Sequence, residues 1–182
     1  MGSEVPGSPL PAAGFEAPLE MLAACHGRIR DRCATLLRLR SHVMARGVDD
    51  SARSAARGVI RYFDSGARDH HEDEEQDLFP ALLESMAGSD PVCIRELIDS
   101  LTDDHRELTR LWRSVRAWLV AIEAGEAAPP DAAEIDSFVD RYERHAVREE
   151  DELFPMAERL LGTTELDRLG RSMRLRRGIT AF

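Results

Sequence analysis

Residues 70–80 read HHEDEEQDLFP, and 75 residues further on, residues 145–155 read HAVREEDELFP. The two stretches share the leading His, Glu at the fourth and fifth positions after it, and the closing Leu-Phe-Pro: six matches in eleven positions with no gap. Phe63 and Phe138 also correspond, each seven residues before its histidine, and each half carries an earlier histidine at a similar separation. His26 lies 44 residues before His70, and His105 lies 40 before His145. The chain therefore reads as two related helix pairs. Pro80 and Pro155 lack an N–H and crowd the preceding turn, so a kink or a helix end is expected just beyond each histidine.

Outward from the repeat, the punctuation is that of helices. Gly47, Gly88, Gly125 and Gly162 read as stops, and Asp90-Pro91 and Pro130-Asp131 as starts, with few alternating strand-like runs. Four long helices are predicted near 17–46, 51–87, 91–124 and 131–161, and the Thr164-x-x-Asp167 signal opens a short fifth near 165–176. Short connections favour antiparallel neighbours, so the expected fold is all-α, an up-down-up-down four-helix bundle with a short C-terminal fifth helix. Residues 1–16, rich in Pro, Gly and Ser, read as a disordered tail; 17–162 form the bundle, and 163–182 the short helix and a tail.

At about 100° per residue, the apolar positions of each long helix fall on one stripe, and selected polar residues fall on it too. Leu19, Leu22, Ile29, Cys33, Leu36 and Leu37 surround His26. On the second helix, Val59, Ile60, Phe63, Ala67, Leu78 and Ala81 bracket His70 and Glu74. His105 belongs to the stripe running from Ile94 to Ile122, Trp112 included, and Ile135, Phe138, Tyr142, Leu153 and Met156 bracket His145 and Glu149. Four histidines and two glutamates thus aim into one core.

A buried unpaired carboxylate costs several kcal/mol, so something must satisfy the set. Hydrogen bonds between His and Glu four residues apart satisfy part of it and leave imidazole nitrogens over. A pair of cations satisfies all six together, and imidazole nitrogen with carboxylate oxygen suits iron, manganese or zinc.

The pattern H…HxxxEExxLFP, present twice, resembles the hemerythrin-like, or HHE cation-binding, family over residues 17–161. The resemblance implies a four-helix bundle holding two non-haem irons, oxo- or hydroxo-bridged. His26, His70, Glu74, His105, His145 and Glu149 are the implied ligands, with Glu74 and Glu149 bridging. An open coordination position would take O2 or a related diatomic or peroxide. The oxygen-carrying members have H-x-x-x-H on the third helix and an acidic ligand at i+5 on the fourth. Here His105 is followed by Thr109, which leaves room at one iron for water, hydroxide or substrate. Glu150 occupies the i+5 position as an alternative to Glu149, about 100° farther round the helix.

The function expected on this basis is binding of O2, nitric oxide or peroxide for sensing, storage or scavenging. Two alternatives stay open: a di-iron enzyme (peroxidase- or catalase-like, nitric oxide reductase or ferroxidase), and a helical interaction module that is metal-independent or stabilised by zinc.

The remaining residues read more plainly. His42 lies opposite His26 and reads as surface. His71, whose counterpart in the repeat is Ala146, flanks the stripe and reads as a residue behind the ligands at most. Asp69, Glu72, Asp73 and Glu75 read as a solvated acidic face, with Asp77 the exception, returning to the stripe as an acid behind the ligands. Cys33 and Trp112 read as core, Cys25 as a small, unreactive helical residue beside His26, and Arg171, Arg174, Arg176 and Arg177 as a solvated helix end.

Composition narrows the classes further. The 182 residues include 34 acidic and 24 basic side chains, net −10, which argues against nucleic-acid partners. Every basic residue is Arg; with no Lys there is neither a Schiff-base lysine nor a phosphate-loop lysine, and with no Asn there is no N-glycosylation. Three unclustered cysteines, no secretion signal and no long apolar run predict a cytoplasmic protein with no membrane association, and nothing indicates a homo-oligomer.

Overall fold

The computed structural model describes residues 14–86, 92–126 and 129–179. Pro18, whose missing N–H would find no helical partner in the first turn, opens α1 (Pro18–Arg46), and Gly47 at φ 79° closes it in a backbone region that side chains resist. The Asp49 carboxylate then accepts the Ala52 N–H at 2.8 Å and starts α2 (50–85). This helix is α-helical over Asp50–Tyr62, Arg68–Asp73 and Phe79–Ser85, joined by π turns at Phe63–Ala67 and Glu74–Leu78. After α3 (Val92–Ala124), Asp131 accepts the Glu134 N–H at 3.1 Å and starts α4 (132–160), which passes through its own π turn at Glu149–Leu153. The last helix is α5 (Thr163–Arg176), and no strand occurs among the described residues.

α1 and α3 each pack on both α2 and α4, so the four long helices close an up-down-up-down ring, with α5 laid across α1 and α2. Two apolar clusters fill it. Ile29, Leu36, Val59, Phe63, Val115 and Phe138 belong to one, and Leu22, Leu78, Leu101, Leu153 and Met173 to the other. Fully burying such a side chain contributes roughly 1.5–3 kcal/mol. His26 lies between Leu22 and Ile29 along α1, and His105 between Leu101 and Leu108 along α3, so the polar cluster is a layer between two greasy ones.

Several expectations change. Of the kink or end expected at each proline, the end does not occur, in keeping with the expected spans 51–87 and 131–161. Pro80 and Pro155 each follow a π turn, and the looser turn carries the chain past a residue that cannot donate to the carbonyl four positions back. Each π turn inserts about one residue, advancing the buried face by about 100° relative to a straight wheel. Ala81 and Met156, expected in the core, are therefore only half-buried, while their neighbours Leu82 and Ala157 are fully enclosed.

The Gly88 stop and the Asp90-Pro91 start lie outside the described residues, as do residues 1–13 of the expected tail. Residues 14–16 are packed instead. Phe15 lies on the second cluster with the Arg174 guanidinium 5.3 Å from its ring centroid, and its carbonyl comes so close to Gly170 that no Cβ would fit there. α5 begins two residues before its expected start, because Glu165 rather than Asp167 supplies the cap, accepting the Gly162 N–H at 3.1 Å.

Candidate metal centre

The six residues predicted from the stripes meet at the centre of the bundle, each no more than 3% exposed. Nε2 of His26 lies 3.1 Å from Nε2 of His70, and Nε2 of His105 lies 3.1 Å from Nε2 of His145. The two carboxylates divide themselves between these pairs. Glu74 turns Oε1 toward His70 and Oε2 toward His105, each at 3.4 Å. Glu149 turns Oε2 toward His26 at 2.9 Å and Oε1 toward His145 at 3.1 Å. Two quartets result, His26-His70-Glu74-Glu149 and His105-His145-Glu74-Glu149, each with its donor atoms within 4.8 Å of one another and both glutamates in common.

Protein groups alone do not satisfy this layer. Both oxygens of Glu74 and Oε1 of Glu149 are buried and receive no hydrogen bond. Burial and the nearby Glu149 charge push the Glu74 carboxyl up, despite the neighbouring histidines. Burial also opposes ionisation of Glu149, but His145, His26 and His70 outweigh it and hold this carboxyl well below the usual range. At His145 burial favours the neutral ring, yet the Glu149 charge prevails and the imidazole is pushed up to about 10. Protons thus occupy places that cations would take, and a nitrogen and oxygen donor set of this kind fits a pair of divalent first-row metals.

Outside the inner ring, the two halves hold each other crosswise. His26 on α1 donates from Nδ1 to Glu150 on α4 at 2.9 Å, and Arg30 clamps that carboxylate at 2.9 and 3.1 Å. His105 on α3 donates from Nδ1 to Glu75 on α2 at 2.6 Å. A carboxylate on Nδ1 fixes the ring and leaves the Nε2 lone pair facing inward. Glu150 therefore stands behind a histidine, and Glu149 is the member of the cluster. The outward role of Glu75 and Glu150 went unread in the sequence, where the only sign of it was the doubled Glu-Glu in both copies.

The acidic face is also corrected. Asp73 is fully buried and pairs with both Arg176 and Arg177, the latter at 2.6 Å, while Asp77 bonds Arg176 at 2.7 Å rather than a ligand. Of the four arginines expected at a solvated helix end, Arg176 and Arg177 are thus a clamp on α2, Arg174 bonds Glu16, and Arg171 is exposed. Trp112 is half-buried and donates its indole N–H to Asp64 at 3.0 Å. His42 sits far from the cluster against Asp49 at 2.9 Å. Cys33 is core as read, its thiol pushed up to about 12 by burial, and Cys25 is buried with Arg28 on its sulfur at 3.0 Å.

A cleft of about 540 Å3 opens between α2 and α3, with Phe63, Trp112 and Tyr142 on its walls and His71 and His105 at its inner end. It reaches only the His105-His145 half.

A family model described as Hemerythrin HHE cation binding domain matches residues 17–157. A protein of Haemophilus influenzae, described only as uncharacterized, is 29% identical over 167 residues, which cover 92% of this chain and 94% of that protein. No helix of the described residues is long and apolar enough to cross a membrane.

Proposed function

This chain belongs to the hemerythrin HHE cation binding domain family, and on that premise we propose that it is a non-haem di-iron protein that binds O2 or a related small molecule, nitric oxide or peroxide, for sensing, storage or scavenging. The observation that carries the reading is the division of each buried glutamate between two histidine pairs, with oxygens that no hydrogen bond satisfies. His26 and His70 would hold one iron, His105 and His145 the other, and Glu74 and Glu149 would bridge them. When bound, the irons supply a Lewis-acidic, redox-active centre for a small molecule. The protein's own part is to fix the imidazoles through Glu150 and Glu75, to hold Glu149 ionised, and to exclude water with the apolar layers on either side.

A second reading is enzymatic, with peroxide or nitric oxide turned over at the His105-His145 half. It is favoured by the cleft, which is larger than a diatomic molecule needs and opens where Thr109 replaces the second histidine of the oxygen carriers.

The test is metal content per chain, with the visible spectrum, on protein purified in air and then reduced without oxygen. Two irons per chain and absorption that bleaches on reduction are the expected result. Zinc, or no metal, persisting after anaerobic iron reconstitution would overturn the proposal in favour of a structural polar core. Consumption of many equivalents of peroxide or nitric oxide would select the enzymatic reading over simple binding.

A further inference from the structure

His71 is used by neither the ligand set nor the carboxylates behind it. Its ring stacks on His105, with centroids 3.9 Å apart and planes 13° from parallel, and stands edge-on to His145 at 5.8 Å. Its Nε2 is buried and has no hydrogen-bond partner, and its side chain lines the cleft that reaches His105. An orphaned buried imidazole nitrogen carries a desolvation cost that a bound molecule would remove.

His71 could in principle be a third histidine for the nearer cation, since a donor atom of each of His71, His105 and His145 lies within 4.8 Å of the others. The stacking argues otherwise. An imidazole lone pair lies in the ring plane, so two near-parallel rings 3.9 Å apart do not both aim at one ion. The unpartnered Nε2 of His71 is therefore left for a molecule in the cleft, beside whatever cation His105 and His145 would hold. Thr109 does not compete for that space, because its hydroxyl donates to the His105 carbonyl of its own helix at 2.8 Å. In the other half, the position matching His71 is Ala146, which is buried and offers no polar atom.

We infer that His71 hydrogen-bonds the molecule that enters through the α2–α3 cleft, and that exogenous ligands therefore bind at the His105-His145 half and not at the His26-His70 half. The ligand class is a small anion or dipole with one atom for the metal and a second acceptor atom for the imidazole N–H. This inference rests on the di-metal reading above.

The experiment is an azide titration of the iron-loaded protein, followed by visible absorption, with iron per chain measured on the same samples. His71→Ala is expected to keep the parental iron content and to weaken azide about ten- to hundredfold, the loss of a hydrogen bond to a charged group. His71→Gln, which keeps a donor and guards against misfolding of the smaller variant, is expected to recover part of the affinity. Parental azide affinity in both variants would overturn the inference alone. Loss of about half the iron in His71→Ala would also overturn it, by making His71 a ligand. A parent that takes up no metal would overturn both this inference and the reading beneath it.

Discussion

Where His26 meets His70, the Phe154 ring lies flat against His26 at 5.5 Å and Arg30 seals the outside through Glu150. Where His105 meets His145, Phe79 takes the corresponding place at 6.1 Å, but the opposite face of His105 is covered by His71 and borders a cleft. The inner donors are nearly superposable in kind and spacing, down to the same 3.1 Å between paired Nε2 atoms. The surroundings have diverged. α2 carries an extra π turn at Phe63–Ala67, whereas α4 runs as a regular α-helix through the matching stretch. Asp73 is buried under two arginines, and its counterpart, Arg148, is a partly exposed residue bonded to Ser100. A duplicated sequence can thus keep two donor sets alike while closing the surroundings of one and leaving a cleft beside the other.

The sharpest way to break this comparison is to remove what the halves share. Glu149→Ala is expected to abolish metal binding at both quartets, whereas His70→Ala and His145→Ala each lower bound metal well below the parent, and His42→Ala leaves it unchanged. Metal analysis of the four variants checks this; equal content in all would dissolve the assignment.

The next effect distinguishes the halves by stability. Replacing both Arg176 and Arg177 by Ala strands the Asp73 carboxylate, which is 0% exposed, and is expected to cost about 3–5 kcal/mol in denaturant unfolding. Arg148→Ala, at a side chain 35% exposed, should cost no more than about 1 kcal/mol. Similar losses would mean that the clamp does not single out the first half.

The smallest effect concerns pH. Burial works against protonation of His145, but the Glu149 charge raises it to about 10 in the metal-free fold, above the unfolded value of ~6.5. The stability this proton contributes is complete below the unfolded value and is lost as pH rises through about 10. Metal must displace the same proton, so affinity should rise about tenfold per pH unit for each proton released, up to that range. Chelator-treated protein should therefore melt lower as pH rises from 7 toward 10, while metal-loaded protein gains from pH 5 to 8. Parallel melting curves would contradict this.

How much of this could be read from sequence depends on distance along the chain and on helical phase. The six cluster residues were legible because His70, Glu74, His145 and Glu149 repeat at a fixed offset and all six, His26 and His105 included, fall on an apolar stripe. Leu82 and Ala157 were not, because a straight wheel cannot anticipate a π turn that adds a residue. Asp73 was misread because its partners lie 103 and 104 residues away on α5, beyond any local pattern. Glu75 and Glu150 carried a signal in their repetition, but nothing local indicated that each would cross to the other helix pair.

The arginine clamp has a consequence for the order in which the molecule is made. A ribosome delivers the N-terminal part of a chain first, so all six cluster residues and Asp73 emerge before Arg176 and Arg177. Until those two arginines arrive, the segment around Asp73 must either keep that carboxylate in contact with water or hold it protonated. The turn that follows Asp73 carries Glu74, a residue common to both quartets. The latch on the segment bearing a shared carboxylate is thus among the last parts of the described chain to be made.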